Sequence, residues 1–256
     1  MRYFGSAMTD IGISKQTNQD SVCLKIAKTK KHGQIVMALM CDGMGGLSKG
    51  ELASATVVRT LVQWFEQALP QKIGAFSWQA LSAEWDGIIK AENYKILEYG
   101  QKINAKLGTT LSALLIIDGQ YMIAHVGDSR VYRITDSVEQ LTKDQTFIAR
   151  EVERGNMTAE QARQDPRKNV LLQCVGASRT VVPQFLFGKV SAEAVFMLCS
   201  DGFRHELSEQ EIYEHFSPGI IRDTGAMDQN GRYLIDLVKN RKEKDNISVA
   251  LIKCTE

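Results

Sequence analysis

Five aspartates stand at the boundaries of apolar segments, where strands end or begin. The segments are CDGMGG with Asp42, AHVGD with Asp128, MLCSD with Asp201, DNISVALI with Asp245 and NQDSVCLKI with Asp20. A single aspartate at a strand end is most often a turn or capping residue. Five such positions, two of them in similar Asp-Gly contexts, favour a shared role.

Carboxylates that meet at one edge of a sheet repel one another, and divalent cations neutralise that repulsion. An all-oxygen donor set suits Mg²⁺ or Mn²⁺, whereas zinc is expected to recruit His or Cys. The four histidines show no ligand spacing such as H-E-x-x-H. A centre of two such metals supports hydrolysis at phosphorus, because the metals lower the pKa of a shared water and neutralise charge on the phosphoryl oxygens. No protein nucleophile is needed, and no cysteine has the C-x-x-x-x-x-R spacing of a cysteine phosphatase.

The glycine-rich stretch CDGMGGLSKGE, residues 41–51, invites comparison with phosphate-binding loops. Gly45 and Gly50 have the first spacing of a Walker A loop, but Glu51 and Leu52 occupy the places of its Lys and Ser/Thr. The dinucleotide fingerprint fails because Ser48 stands where its third glycine is required. We therefore interpret the glycines as residues that let the backbone approach a metal at Asp42 and then turn sharply.

The elements that must position these aspartates alternate between strand-like and helix-like patterns. Residues 21–28 and 34–41 are predicted strands joined near His32-Gly33, and Asp118-Gly119 predicts a tight hairpin between TTLSALLII and QYMIAHV. Further predicted strands are VYRI, VPQFLFG, AVFMLCS and NISVALIKC.

Two long helices are predicted. In residues 51–69 the apolar positions recur at three and four, and Ser48 and Glu51 have capping-box spacing. Residues 78–103 form the second, with Leu81, Trp85, Ile88, Ile89 and Ile96 on its buried side. Helices grouped against hairpin strands indicate an α+β layered fold with a mainly antiparallel sheet system covered by helices.

Composition excludes several function classes. The 256 residues carry 31 basic and 30 acidic side chains and are 44% hydrophobic, so nothing predicts a nucleic-acid or membrane partner. The five cysteines include no C-x-x-C pair, which favours reduced thiols over disulfides or a zinc site.

No signal peptide or membrane-spanning apolar segment is recognised in the sequence, which predicts a cytoplasmic protein. Without linker-like gaps or repeats, the expectation is one domain spanning residues 1–256.

Seven motifs in one order carry a family resemblance: NQDS, DGMGG, GTTLSALLI, HVGDSR, LTKDQT, CSDGF and DNISVALI. Together they resemble the metal-dependent protein phosphatase family, the type 2C Ser/Thr phosphatases of bacterial type, over residues 8–253. The resemblance implies a four-layer α-β-β-α sandwich around an antiparallel β-sandwich. It also implies two Mn²⁺ or Mg²⁺ ions and hydrolysis of phosphoserine and phosphothreonine in proteins.

Position by position, the resemblance implies roles for six residues at the metals. Asp42 would bridge the two ions and Gly43 would offer its carbonyl. Asp201 and Asp245 would hold the first ion, and Asp20 the second, directly or through water. Asp128 matches an acidic residue linked to a third, weaker metal in bacterial-type members, with a structural turn acid as the alternative. Asn246 would only shape the turn beside Asp245.

The sequence departs from the family pattern at three places. Lys15 stands where the family has an arginine that grips the substrate phosphate; a lysine binds phosphate only as a point charge, and Arg154 or Arg179 are alternative anchors. Met44 replaces a histidine found in animal relatives. Gln145 and Asp165-Pro166 stand where bacterial-type relatives often have histidine.

Residues 144–178 contain a predicted helix pair at IAREVERG and TAEQARQD and correspond to the family's mobile flap. Two interpretations of this segment stay open: it selects substrates, or it is a surface helical hairpin without a role.

Two functions follow from the resemblance and the residues. The first is an active monomeric phosphatase that acts on phosphoproteins and opposes a cognate bacterial Ser/Thr kinase. The second is a pseudophosphatase that serves as a binding module. Asp42, Asp201 and Asp245 favour the first, because a scaffold has no physical reason to keep mutually repelling carboxylates.

Overall fold

The computed structural model describes residues 1–44 and 49–255. Its strands are β1 (Arg2–Asp10), β2 (Ser21–Thr29), β3 (Gly33–Cys41), β4 (Leu111–Ile117), β5 (Gln120–Val126), β6 (Arg130–Ile134), β7 (Val138–Gln140), β8 (Gln184–Lys189), β9 (Val195–Cys199) and β10 (Ile247–Thr255). Its α-helices are α1 (Gly50–Gln63), α2 (Leu69–Lys72), α3 (Trp78–Lys102), α4 (Phe147–Glu153), α5 (Ala159–Gln164), α6 (Asp201–Arg204), α7 (Glu209–Phe216) and α8 (Thr224–Asn240). A π-helical turn, Trp64–Ala68, joins α1 to α2, and a 3₁₀ turn, Ile73–Ala75, follows α2.

The strands form two five-stranded antiparallel sheets. One has the order β1-β10-β9-β6-β7 and the other the order β2-β3-β4-β5-β8. Hairpin connections dominate the second sheet, in which the predicted turn at Asp118-Gly119 is confirmed, with φ of 51° and 68°. Both residues have positive φ, as a type I′ hairpin turn requires.

Three apolar clusters define four layers. The middle cluster lies between the sheets and includes Val36, Ile123 and Phe196. A second cluster joins the outer face of the β2–β8 sheet to α1 and α3, with Trp64 and Trp85 among its members. The third joins the outer face of the other sheet to α6, α7 and α8. The predicted α+β, four-layer α-β-β-α sandwich is therefore confirmed.

Most predicted elements are confirmed, including the hairpin at His32-Gly33, the helix over residues 78–102 and both short helices of the 144–178 segment. The apolar positions predicted to form one face of the first helix begin with Leu52, and at that residue the prediction is wrong: Leu52 is 40% exposed, because the neighbouring Ala53 and Val57 are buried against the sheet instead. The predicted capping box falls partly on Ser48, which lies outside the described residues. Sequence patterning missed β1, whose polar alternation reflects its position at a sheet edge, where it pairs with β10 alone.

Among residues 1–44 and 49–255, none of the helices is long and apolar enough to cross a bilayer.

Candidate metal centre and active site

The register of the sheets brings the five aspartates to one end of the molecule. Ser21, after Asp20, pairs with Cys41, before Asp42. In the other sheet Cys199 pairs with both Arg130 and Val249, which places the loops carrying Asp128, Asp201 and Asp245 side by side. The strand-end positions recognised in the sequence are therefore brought together by ordinary antiparallel pairing.

The charges of the aspartates act on one another. Burial raises the pKa of Asp42 well above its usual range, and the carboxylates of Asp20, Asp201, Asp128 and Asp245 raise it further. Burial, with the nearby Asp201 charge, also raises the pKa of Asp20 and of Asp128 to about 7 each. Asp20, Asp42 and Asp128 therefore need nearby positive charge to remain ionised at neutral pH.

Several of these oxygens lack partners. Both carboxylate oxygens of Asp20 and Oδ1 of Asp201 are buried and make no well-formed hydrogen bond to described residues. The hydroxyls of Ser248 and Ser200 lie near enough to Asp20 to lower its pKa in part. Unpartnered buried carboxylate oxygens are what a hard cation would satisfy.

At Gly43, next to Asp42, the backbone passes close to the backbone of Gln19 and Gly50. A Cβ at this position would lie 2.5 Å from the carbonyl oxygen of Gln19 and 2.6 Å from that of Gly50, so no other residue fits. The amide of Gly43 donates to the Gln19 carbonyl, and the Asp42 amide donates to Thr110 Oγ1 at 2.9 Å. These bonds fix the end of β3 against the loop that carries Asp20.

The oxygen donors at this end of the molecule are of the type that a divalent cation prefers, but their side chains do not already surround a single point. Within residues 1–44 and 49–255, no three His, Cys, Asp or Glu side chains are already arranged to hold a single ion. The fit therefore rests on the all-oxygen donor set, the unpartnered oxygens of Asp20 and Asp201, and the close approach at Gly43.

Lys15, the predicted phosphate anchor, contacts a predicted metal ligand. Its Nζ lies 2.7 Å from Asp245 Oδ1. Burial works to lower the pKa of Lys15, but the bond to Asp245 and the charges of Asp42 and Asp201 outweigh it and raise that pKa. Lys15 is thus a cation held at the carboxylate edge, available to an anion that enters there.

A cleft of about 900 Å³ opens beside this edge and is lined by Lys15, Asp128, Asp201 and Asp245. The described residues that line it include neither Arg154 nor Arg179, the alternative anchors considered from the sequence. They do include Arg204, which sequence analysis missed. Its position in the last turn of α6, three residues after Asp201, was the available signal.

Arg204 and Arg130 converge on the start of the 144–178 segment. Arg130 makes a two-pronged bond to Asp144, at 2.8 and 2.7 Å. Arg204 Nη2 lies 3.6 Å from Asp144 Oδ2 and 3.3 Å from the carbonyl oxygen of Asp128. Burial works to raise the pKa of Asp144, but the bonds from Arg130 and the charge of Arg204 lower it overall.

Asn246 does more than shape a turn, the role expected from the sequence. Its Oδ1 accepts from the Gln19 amide at 2.9 Å, and its Nδ2 donates to the carbonyl oxygens of Ile11 and Thr17. The side chain therefore ties the loop that carries Lys15 and Asp20 to the strand that follows Asp245.

Comparison with known proteins shows which proteins the chain resembles in sequence and fold. The family model described as Protein phosphatase 2C matches residues 13–233. The protein phosphatase PhpP of Streptococcus pneumoniae is 31% identical over 98% of this chain and 97% of its own length. The serine/threonine phosphatase of S. agalactiae superposes with a TM-score of 0.85 at 30% identity, over 100% of both chains. The catalytic domain of PstP, solved in complex with two manganese ions, superposes with a TM-score of 0.79 at 26% identity, over 99% of both chains.

Proposed function

The chain belongs to the protein phosphatase 2C family, and on that premise we propose which of its residues carry the activity. It is a metal-dependent serine/threonine protein phosphatase, and its substrates are phosphoproteins. The observation that carries the proposal is that five aspartates lie at the same end of the two sheets, with buried carboxylate oxygens of Asp20 and Asp201 left unpartnered. Nothing in the described residues or the comparisons favours the pseudophosphatase alternative.

The aspartates and one backbone carbonyl are proposed as the metal ligands. Asp42 would contact both ions and Gly43 would offer its carbonyl, Asp201 and Asp245 would hold the first ion, and Asp20 would hold the second, directly or through water. When bound, two divalent ions lower the pKa of water into the neutral range and offset the charge on the phosphoryl oxygens. The carboxylates of four other aspartates all raise the pKa of Asp42, which supports its central position among them.

Mn²⁺ or Mg²⁺ is the proposed metal, because the donors are hard oxygens. The two manganese ions named for PstP support Mn²⁺ as a working choice. Asp128 is proposed as the ligand of a third, weaker ion. Its carboxyl is buried at the same edge, and the nearby charge of Arg204 partly offsets the effect of Asp201 on it.

Lys15 is proposed as the residue that binds the substrate phosphate. Its ammonium group lines the cleft and is held beside the carboxylate edge by Asp245. An entering phosphate dianion would compete with Asp245 for this group, and a metal at Asp245 would weaken the competing bond. The compact ammonium gives one point contact where a guanidinium would give two.

The cellular setting is proposed from the chain's chemistry. We infer one phosphatase domain over residues 1–256, acting as a monomer in the cytoplasm, with residues 144–178 as a flap that influences substrate choice. Five free cysteines, four of them buried, support a reducing compartment. A signalling role opposite a cognate Ser/Thr kinase follows from the chemistry, because a phosphoserine phosphatase needs an enzyme that makes its substrate.

Metal titration of Asp42→Asn tests the ligand assignment. Calorimetry with Mn²⁺ should count at least two ions on the wild-type protein, and the variant should lose strong binding of both together with phosphopeptide turnover. Asp236→Asn, at an exposed aspartate of α8, is the matched control and should behave as wild type. Retention of two ions and of turnover by Asp42→Asn would overturn the assignment.

A further inference from the structure

The cleft beside the carboxylates has a basic rim contributed by two segments of the chain. Arg163 and Lys168 come from α5 and the turn after it, within the flap. Lys242 and Lys244 come from the loop between α8 and β10, immediately before Asp245. All four side chains belong to exposed residues and border the same cleft as Lys15.

Three of these charges are not neutralised by the protein. Arg163 lies 3.6 Å from Glu160, whereas Lys168, Lys242 and Lys244 form no ion pair within 4.0 Å among residues 1–44 and 49–255. Lysines on solvated faces commonly pair with neighbouring acids, as Lys90 does with Asp86 and Lys102 with Glu98. Exposed lysines away from the cleft, such as Lys28 and Lys189, also form no ion pair with a described residue, so what distinguishes Lys168, Lys242 and Lys244 is that they border the cleft.

Lys242 is kept in an unfavourable backbone conformation. It follows the end of α8 with φ of 70°, and its amide donates to the Lys239 carbonyl at 3.0 Å. Glycine is the usual residue at this left-handed position, because the Cβ of any other residue meets a steric penalty there. Backbone strain of this kind is often retained for function.

The rim remains positive once the carboxylates hold their metals. Lys and Arg outnumber Asp and Glu among the residues that line the cleft, seven to six. Arg130 forms an ion pair with Asp144. The negative charge of the aspartates proposed as ligands would be offset by the divalent ions that they hold. An anionic peptide segment that enters the cleft would be attracted to the positive charges that α5, the turn after it and the α8–β10 loop contribute.

We propose that Lys168, Lys242 and Lys244 select phosphoprotein segments in which acidic residues flank the phosphoserine or phosphothreonine. The inference rests on the proposed function and adds the class of substrate. The flanking carboxylates lie near the three ammonium groups while the phosphoryl group lies at Lys15 and the aspartates. Exposed charges of this kind act mainly through the rate of encounter and through KM.

Three phosphothreonine peptides of equal length test the proposal, with flanking residues changed from Glu to Gln to Lys. With Mn²⁺ and low salt, wild-type kcat/KM should be at least tenfold higher for the Glu peptide than for the Lys peptide, mainly through KM. The variant Lys168→Gln/Lys242→Gln/Lys244→Gln should reduce this ratio to twofold or less. The control Lys28→Gln/Lys30→Gln/Lys189→Gln removes three exposed lysines that do not line the cleft and should keep the wild-type ratio.

Equal kcat/KM for the three peptides in the wild-type protein would overturn this inference and leave the proposed function standing. The same conclusion follows if the control variant loses the ratio as fully as the rim variant. If none of the peptides is hydrolysed, the proposed function fails and the inference fails with it.

Discussion

Lys15 Nζ and Asp245 Oδ1 lie 2.7 Å apart, so the proposed phosphate anchor and a proposed metal ligand are bonded to each other. Asp245 Oδ1 also accepts a hydrogen bond from the backbone N–H of Asn246 at 2.8 Å. One short contact thus fixes the position of the Lys15 ammonium group relative to the Asp245 carboxylate. Under the proposed roles, a metal ion at Asp245 would weaken the Lys15–Asp245 bond and would thereby couple metal binding to phosphate binding.

Substitution of Lys15 should change substrate affinity more than chemistry. We expect Lys15→Ala to raise KM for a phosphothreonine peptide about tenfold, because one charge-assisted bond of roughly 1.5 kcal/mol is lost. Lys15→Arg should lower KM below the wild-type value, since a guanidinium binds phosphate with two bonds. Steady-state kinetics measures both, with Lys25→Ala, which breaks the exposed pair with Glu66, as the control. An unchanged KM in Lys15→Ala would contradict the assigned role.

Asp201→Asn should abolish metal-dependent turnover while the fold is kept. The amide preserves the shape of the side chain, and it removes a charge that raises the pKa values of Asp20, Asp42 and Asp128. Without metal, the variant should melt at the wild-type temperature or above it, because repulsion at the carboxylate edge is reduced. Circular dichroism and a rate assay in Mn²⁺ check the two parts of the prediction. Wild-type turnover by the variant would show that Asp201 is not a required ligand.

Mn²⁺ should stabilise the folded protein strongly. An ion that binds only the native state adds about 2.7 kcal/mol at a concentration one hundred times its Kd. For a chain of this size that corresponds to a rise in Tm of roughly 5–10 °C. Differential scanning calorimetry in Mn²⁺ and in EDTA measures the change. A Tm that does not respond to Mn²⁺ would contradict a metal centre at this edge.

His125 should make the protein less stable in mild acid. The ring is fully buried and Nε2 donates to the Lys143 carbonyl at 3.1 Å; burial lowers the pKa from 6.5 to about 4. The unfolded chain therefore takes up a proton below about pH 6.5 that the folded protein refuses until about pH 4. The stability is present above pH 6.5 and is lost as the pH falls from 6.5 toward 4.

Between pH 7.5 and pH 5.0 this residue should cost about 2 kcal/mol of unfolding free energy. Urea unfolding in EDTA, compared between wild type and His125→Gln at both pH values, isolates the contribution from that of the carboxylates. An identical pH dependence in the two proteins would show that His125 is not the cause.

The Arg130–Asp144 pair should be a major support for the base of the flap. Loss of the guanidinium in Arg130→Ala leaves Asp144, only 15% exposed, without its main partner, and such losses cost about 3–5 kcal/mol. The double variant Arg130→Ala/Asp144→Ala should recover part of this, because the uncompensated charge is gone. Chemical denaturation of the single and double variants measures the coupling. A double variant that is no more stable than Arg130→Ala would contradict this account.

Local patterns in the sequence predicted the α+β class and the position of the carboxylates at strand ends, whereas the four-layer arrangement followed from the family resemblance. Asp20 and Asp42 border strands whose apolar runs are unmistakable, and antiparallel pairing then places them together. The edge strand β1 escaped prediction, since a strand paired on one side needs less apolar surface than a central one.

The supporting contacts could not be predicted in the same way. Arg204 reaches Asp128 across 76 positions of sequence, and Asn246 reaches Gln19 across 227. Such contacts depend on the packing of two loops and leave no periodic trace in either one. The pairing of Lys15 with Asp245 is of the same kind, since each residue alone gives no sign of the other.

The central claim, that the aspartate edge is a metal centre that hydrolyses phosphoserine and phosphothreonine, is tested most directly by phosphate release. A phosphothreonine peptide and a matched phosphotyrosine peptide are assayed in Mn²⁺ and again in EDTA. The account predicts turnover of the phosphothreonine peptide in Mn²⁺, its loss in EDTA, and much slower release from phosphotyrosine. Absence of turnover in a folded protein that has bound Mn²⁺, or undiminished turnover in EDTA, would contradict it.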